Sequence, residues 1–354
     1  MKTLRRVCAL VLALATLFSL AGCVNHNWSV KSGDEQVSAG VYIYYMLSAY
    51  NDAVTKIDDE KQDVLTATID GKVGKQWILD EARNYCKRHF AVKKLCAERN
   101  ITLSTEDIGS IDYTLNYMAQ YYGTFYQDAG ISLESVREVY ENSYLYSNLL
   151  YSYYDGKGEF ALKEEDIKKH FSENYFGYKV IEAPFFYNSN NKDVSYSAEE
   201  IKKRQDIIKQ YLDEASKLDT ADIDAFNKKF VNRDLKEGEK EKEPAKLTLQ
   251  FATKDTTTKY GDEFFDLLKK AAVGDFFTTE VTNKGIYLFQ KCDEYSEDSK
   301  KYKETRETCI SEMVEDDFKV LLADEAAKMS FVFNEKAIEE YSIENLVTLL
   351  SSNS

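Results

Sequence analysis

Apolar residues follow a helical rhythm through the first half of the chain and gather into short β-type runs only later. Between Val37 and Lys56 they recur at positions 41, 44, 45 and 48/49, the spacing of one helix face, behind an extended SVKSGDEQ lead. Further helices are predicted at about 75–99, 104–122, 132–154 and 163–175. Asn100 is placed as a C-cap, and Ser104 with Asp107 makes a capping-box start to the helix that follows. At Tyr178 the pattern changes. YKVIEAPFFYN is β-branched and aromatic with Pro184 inside it, which predicts a strand that is exposed on one edge or interrupted. Ser197 with Glu200 forms a second capping box and opens an amphipathic helix to about Leu218, and ADIDAFNKKF predicts a shorter helix. DLKEGEKEKEPAK carries no core residue and reads as a mobile surface loop. Then come strand LTLQFA, helix GDEFFDLLKKAAVG with its stop at Gly274, strand DFFTTEV, turn TNKG and strand IYLFQKCDE. This β-α-α-β-α-β-β order, within about 115 residues, describes one small α/β module.

A last long helix is predicted from about Tyr302 to Met329, with FVFNEKAIEEYSI behind it. Its apolar stripe includes Ile310, Met313, Val314, Phe318, Leu321 and Leu322, and an isolated helix cannot bury such a stripe. The helix is therefore expected to pack back on the N-terminal helices. The fold class is then α+β: a discontinuous helical domain with the small α/β module inserted. The expected divisions are 1–22 for a leader, 23–36 for a tether, 37–177 for the first helical part, 178–295 for the module and 296–354 for the C-terminal helix and tail.

With 354 residues, 44% hydrophobic and 30% charged, the composition is that of a folded protein long enough for two or three domains. There are 26 tyrosines and two prolines, Pro184 and Pro244, which suits a mostly helical body. A formal net charge of −15 argues against a nucleic-acid partner, because phosphate binding needs a basic face. The N-terminus, MKTLRRVCALVLALATLFSLAGC, has a basic start and an apolar run from Val7 to Ala21, shorter than the roughly 20 residues that span a bilayer. Leu20-Ala21-Gly22-Cys23 resembles the lipobox of bacterial lipoproteins, and that resemblance implies diacylation of Cys23 and a membrane contact through the N-terminal lipid. An ordinary secretory signal is the alternative. After Cys23 there remain Cys86, Cys96, Cys292 and Cys309. Cys86 and Cys96 stand about 15 Å apart along one predicted helix, too far for a disulfide, and pairing of Cys292 with Cys309 stays open. No CxxC or histidine cluster suggests a metal, and no cofactor is expected.

The layout resembles the membrane-anchored foldases of the PrsA and SurA type, in which a helical chaperone domain built from both ends of the chain surrounds a parvulin-type prolyl isomerase module. DEQVSAGVYIYYMLSAYNDA resembles the opening strand and helix of the chaperone domain. EEDIKKHFSENYFGYKV resembles the helix that hands over to the first parvulin strand, and KYGDEFFDLLKKAAVGDFFTTEVTNKGIYLFQK resembles the second half of the module. The parvulin pattern has a histidine in its first strand and another in its last. Here the first falls near Pro184, in EAPFF, and the last falls on Tyr287. The family's methionine falls on Tyr260, and the aromatic four residues later is kept as Phe264. The resemblance thus implies a degenerate isomerase pocket at Pro184, Phe186, Tyr260, Phe264 and Tyr287, with no confident catalytic residue. His26, His89 and His170 all lie outside the module. It also implies binding of unfolded or secreted polypeptides outside the cytoplasm, and leaves homodimerisation open.

Other signals are weaker. Tyr113, Tyr117 and Tyr121 recur every four residues in a tyrosine-rich helical half, so they share one stripe. They read either as helix-packing core or as an aromatic surface for extended chains. Asp58, Asp59 and Glu60, and Glu315, Asp316 and Asp317, read as solvated carboxylates. No HExxH, GxSxG or P-loop is present. Three functions remain from the sequence: a chaperone with isomerase activity reduced or lost, an active parvulin-type isomerase, and a solute-binding lipoprotein.

Overall fold

The computed structural model describes residues 28–57, 62–189, 192–218, 220–236, 238–254, 257–292 and 300–353. The leader, Cys23, His26 and the cluster Asp58, Asp59 and Glu60 lie outside the described residues. The chain divides into two compact units, one comprising residues up to Ala161 together with Val314 onward, the other Leu162–Met313.

In the first unit β1 (Trp28–Ser32) and β2 (Glu35–Ser38) pair at once, so the segment read as a tether is structured from Trp28. Val30 and Val37 face each other across the ladder and both are buried, which fixes the register. Ser38 ends the strand, and its Oγ accepts the Val41 N–H at 3.3 Å to cap α1 (Ala39–Thr55). A hairpin of β3 (Thr68–Ile69) and β4 (Lys72–Val73) leads into α2 (Gly74–Arg99). Only glycine fits at position 74, because a Cβ there would stand 1.9 Å from the Val64 carbonyl oxygen. Asn100 closes α2 in the left-handed region, at φ 55°. A complete capping box of Ser104 and Asp107 opens α3 (Thr105–Asp128), which runs on past its expected end near residue 122. Ser132 caps α4 (Leu133–Tyr154).

The second unit begins with α5 (Glu164–Asn174) and β5 (Phe176–Pro184). A hairpin of β6 (Phe186–Ser189) and β7 (Lys192–Ser195) follows, an addition to the expected element order. Next come α6 (Ala198–Ala215), α7 (Ile223–Val231), β8 (Gln250–Ala252), α8 (Thr257–Tyr260), α9 (Phe264–Lys270), β9 (Phe276–Val281) and β10 (Gly285–Cys292). At the start of α6 the Ser197 Oγ accepts the Glu200 N–H as expected, but the Glu200 carboxylate pairs with Arg204 at 3.2 Å instead of completing a box. The sheet order is β8-β5-β10-β9, antiparallel throughout. β5 is therefore a central strand. Pro184 is tolerated at its end because β8 pairs only with Phe176, Gly177 and Tyr178, so interruption, not edge exposure, is how the proline is accommodated. Alternation sorts the side chains onto two faces. Ile181, Ala183, Ile286 and Leu288 pack with Ile208 of α6 and Phe226 of α7, while Tyr178, Val180, Tyr287 and Phe289 pack with Phe264 and Leu268 of α9.

α10 (Lys300–Ala327) supplies its residues up to Met313 to the second unit and the rest to the first. Within the second unit the Tyr302 phenol donates to Glu164 at 2.6 Å. Within the first, Phe318 is fully buried against the rings of Tyr146, Tyr153 and Tyr154 on α4. Ile310, Val314 and Leu322 of the apolar stripe are buried, and Met313 and Leu321 are half-buried. The chain ends with β11 (Val332–Phe333), α11 (Glu335–Glu339) and α12 (Ile343–Asn353). β11 joins β1 to give the order β11-β1-β2, and Asn334 ties the two ends further by donating from its amide to the Trp28 carbonyl at 2.9 Å. Burial pushes the Cys96 and Cys309 thiols up to about 11 and Cys86 higher still, so these are packing groups and not nucleophiles. Among the described residues no helix is long and apolar enough to cross a membrane.

Candidate functional site

Three of the five positions expected to form an isomerase pocket meet in the second unit. Tyr260 ends α8, Phe264 opens α9 and Tyr287 lies on β10; their rings are in contact, with Tyr260 5.0 Å from both Phe264 and Tyr287 between centroids. Phe289 and Tyr178 complete the packing around Tyr260 at 5.1 and 6.0 Å. Tyr260 and Phe264 have no exposed surface, and Tyr287 is 6% exposed. Pro184 sits beside this cluster, opposite Gly285 in the β5–β10 ladder, where a Cβ on Gly285 would come within 3.1 Å of the proline Cα. Phe186 is not part of the cluster. The chain turns at Phe185, and Phe186 instead pairs with Ser195 in the β6–β7 hairpin.

The polar rim of the cluster is made by Glu182, Gln250 and Lys259. The Tyr260 phenol donates to Glu182 Oε1 at 3.0 Å, Lys259 reaches the same oxygen at 2.8 Å, and the Tyr178 phenol donates to Gln250 at 3.0 Å. Burial, then the Glu182 charge, raises the Tyr260 phenol, and the same two causes raise Tyr287. Both phenols therefore stay protonated at neutral pH and neither can serve as a base. A prolyl isomerase has to hold its substrate in an apolar pocket while lowering a rotation barrier of about 18–20 kcal/mol. In this unit the space between α8, α9 and β10 is filled by the protein's own rings.

The first unit shows the opposite arrangement. Tyr113, Tyr117 and Tyr121 on α3 are 77%, 46% and 62% exposed, so the packing alternative for this stripe is corrected: the helix buries Ile111, Leu115, Phe125 and Tyr126 instead. Tyr117 and Tyr121 lie ring against ring at 4.5 Å, and Tyr122 is also exposed, with its ring 6.4 Å from that of Tyr117. α3 contains Glu106, Asp107, Asp112 and Asp128 and no lysine or arginine. The result is an aromatic surface on an acidic helix. Of the second carboxylate cluster, Glu315 is engaged locally, accepting from the Tyr146 phenol at 3.0 Å. Sequence reasoning also missed a tyrosine-lined cavity built from α1, α2 and α4, which includes His89. No local signal marks it, since its walls come from segments about 40 to 100 residues apart.

The chain is α+β, with a discontinuous first unit that carries an exposed aromatic face and a second unit whose sheet packs a closed aromatic cluster. Among solved structures it is similar to the foldase protein PrsA from Streptococcus pneumoniae, at 17% identity over 79% of this chain and 98% of that one, with a TM-score of 0.40. It is similar also to the foldase protein PrsA from Lactococcus lactis, at 12% identity over 93% and 99% of the two chains and a TM-score of 0.36. A SurA-like chaperone from Campylobacter jejuni matches at 12% identity over 87% and 99%, with a TM-score of 0.22. No protein-family model matches the sequence, and no curated protein matches it.

Proposed function

We propose that this chain is a membrane-anchored, extracytoplasmic folding factor of the foldase type. It holds extended segments of secreted or unfolded polypeptides on the tyrosine face of α3, while its second unit serves as a binding or structural module with prolyl isomerase activity lost or much reduced. The exposed row of Tyr113, Tyr117 and Tyr121 carries the reading. These three rings span about 12 Å along the helix axis, the length of three to four extended residues. Tyrosine offers apolar area with a hydrogen-bonding tip, which suits weakly selective contact with unfolded chains. The carboxylates of α3 favour neutral or basic segments. Loss of isomerase activity is supported by the full burial of Tyr260 and Phe264, since a prolyl ring could enter only by opening the core.

The test pairs two assays on residues 24–354. The protein is expected to suppress aggregation of an unfolded client at stoichiometric amounts and to leave a proline-limited refolding rate unchanged at substoichiometric amounts, beside an authentic parvulin that accelerates it. Acceleration would overturn the isomerase part, and failure to suppress aggregation would overturn the binding part. Anchoring is supported by the basic start, the apolar run and Cys23 of the leader. Replacing Cys23→Ser in a bacterial host is expected to move the protein from the membrane fraction to the medium or periplasm. Unchanged membrane retention would argue against lipidation.

A further inference from the structure

α1, α2 and α4 wall a cavity of about 380 Å³ in the first unit, within the range of about 300–1,000 Å³ usual for small-ligand pockets. Five of its lining side chains are tyrosines: Tyr44, Tyr45, Tyr85, Tyr140 and Tyr146. Tyr45 and Tyr85 are stacked with 5.4 Å between centroids, and Tyr44 meets Tyr140 edge-on at 6.5 Å. Walls of this kind favour another flat ring, which can stack on one tyrosine and meet the edge of the next. The hydroxyl protons of the lining are largely spent. Tyr85 donates to Asp52 at 2.6 Å, Tyr146 to Glu315 at 3.0 Å and the Ser48 hydroxyl to the Tyr44 carbonyl at 3.2 Å. Arg88 is engaged too, its guanidinium 4.3 Å over the Tyr85 ring and paired with Glu81 at 2.7 Å, so it does not call for an anion.

Asn142 supplies a second observation, independent of the rings. It lines the cavity and is 7% exposed. Its Nδ2 donates to the His89 carbonyl at 3.1 Å, which fixes the orientation of the amide, because a flipped amide would set oxygen against oxygen. Its Oδ1 accepts from no group among the described residues, yet it is not sealed off as His89 Nε2 is. Buried amide oxygens are rarely left without a donor, because an unmet polar group is destabilising. The cavity therefore offers aromatic walls and one open acceptor. A plain phenyl ring would leave that acceptor unmet, an anion would set further acceptors against it, and an ammonium would bring three N–H donors to a single oxygen. A flat neutral ring with one N–H meets both requirements.

We propose that this cavity binds an indole group, with its ring laid against the tyrosines and its N–H donated to Asn142 Oδ1. The indole nitrogen is a donor only, so it adds no lone pair that would need a partner of its own, as a phenol would. The group belongs either to a free small molecule or to a tryptophan side chain, and the chemistry that recognises it is the same. The site does not depend on the α3 face, so it stands or falls separately from the function proposed above.

Calorimetric titration of the full-length protein in a non-ionic detergent, with detergent alone as the blank, tests it. The first probes are indole and 1-methylindole, which keeps the ring and lacks the N–H. Indole is expected to bind saturably and about tenfold more tightly, because a site with a buried acceptor rejects an analogue that leaves it unmet. Asn142→Leu, a change between side chains of similar size, is expected to weaken indole about tenfold and leave 1-methylindole unchanged. The His89 carbonyl that loses the Asn142 amide lies inside α2 and keeps its helical partner, and circular dichroism checks that the variant is folded. Tyr140→Ser, at a half-buried wall, is expected to weaken both probes alike. A second arm compares N-acetyltryptophanamide with N-acetylphenylalaninamide. Binding of the tryptophan amide at the strength of indole, with the phenylalanine amide weaker, identifies a tryptophan side chain as the source of the group, and binding of indole alone identifies a free molecule. Equal affinity of the unaltered protein for indole and 1-methylindole, unchanged indole affinity in folded Asn142→Leu, or no saturable binding overturns the proposal.

Discussion

Replacing Tyr113, Tyr117 and Tyr121 together by serine is expected to lower affinity for an unfolded polypeptide on the order of 100-fold, with little change in folding stability. Each ring that packs an apolar group of the client contributes about 1 kcal/mol, and three such losses approach two powers of ten. The folded unit should hardly register the change, because the three rings are exposed and tyrosine and serine have similar helix propensities. The Tyr117–Tyr121 contact at 4.5 Å adds only about 0.2–0.5 kcal/mol as a pair one helical turn apart. Fluorescence anisotropy of a labelled, permanently unfolded client gives the affinity, and thermal unfolding followed by circular dichroism gives the stability. Leu218→Ser is the control, since Leu218 is an exposed apolar residue of the other unit. Equal loss of affinity in this control would mean that binding is diffuse hydrophobic contact. Unchanged affinity in the triple variant would remove the α3 face from the function altogether.

Helix positions were legible in the sequence because their ends carry local chemistry. Asn100 in the left-handed region and the Ser104–Asp107 box both formed as read. Ser197 capped its helix, but the fate of the Glu200 carboxylate depended on Arg204 one turn further on, a competition that the box pattern does not weigh. The extended lead that forms β1 and β2 was legible, but the pairing of β11 with β1 was invisible, because it joins residues about 300 positions apart through strands of only two and five residues. The tyrosine row shows a subtler limit. A four-residue period established that Tyr113, Tyr117 and Tyr121 share a side of α3, yet it could not say which side faces the core. A second stripe, Ile111, Leu115 and Met118, ran along the same helix, and the side that was buried is the aliphatic one. In the sheet unit, alternation along β10 put Tyr287 and Phe289 on one face as required, and Tyr260 and Phe264 met them there. Phe186 did not, because the turn at Phe185 takes the chain out of the sheet before the alternation reaches it.

Tyr260→Ala is expected to destabilise the second unit by about 3–5 kcal/mol, the cost of emptying a large, fully buried aromatic site. Four rings, those of Tyr178, Phe264, Tyr287 and Phe289, pack on Tyr260 within 5.0–6.0 Å, so the space left behind cannot be closed by one small movement. Tyr260→Phe keeps the ring and loses the phenol's hydrogen bonds to Glu182 at 3.0 Å and Gln250 at 3.4 Å, but Glu182 retains Lys259 and Gln250 retains the Tyr178 phenol as partners; about 1 kcal/mol is expected. Urea unfolding followed by near-ultraviolet circular dichroism measures both. The comparison also decides what the cluster is for. A residue that lined an open pocket could be truncated at little cost to stability, and the loss would appear in the chemistry performed there. If Tyr260→Ala leaves the urea midpoint in place and changes the rate of a proline-limited refolding reaction, Tyr260 is a pocket wall and the isomerase reading returns. If the midpoint falls sharply while Tyr260→Phe stays close to the parent, the rings hold the sheet unit together, and Tyr260 and Tyr287 are there for packing.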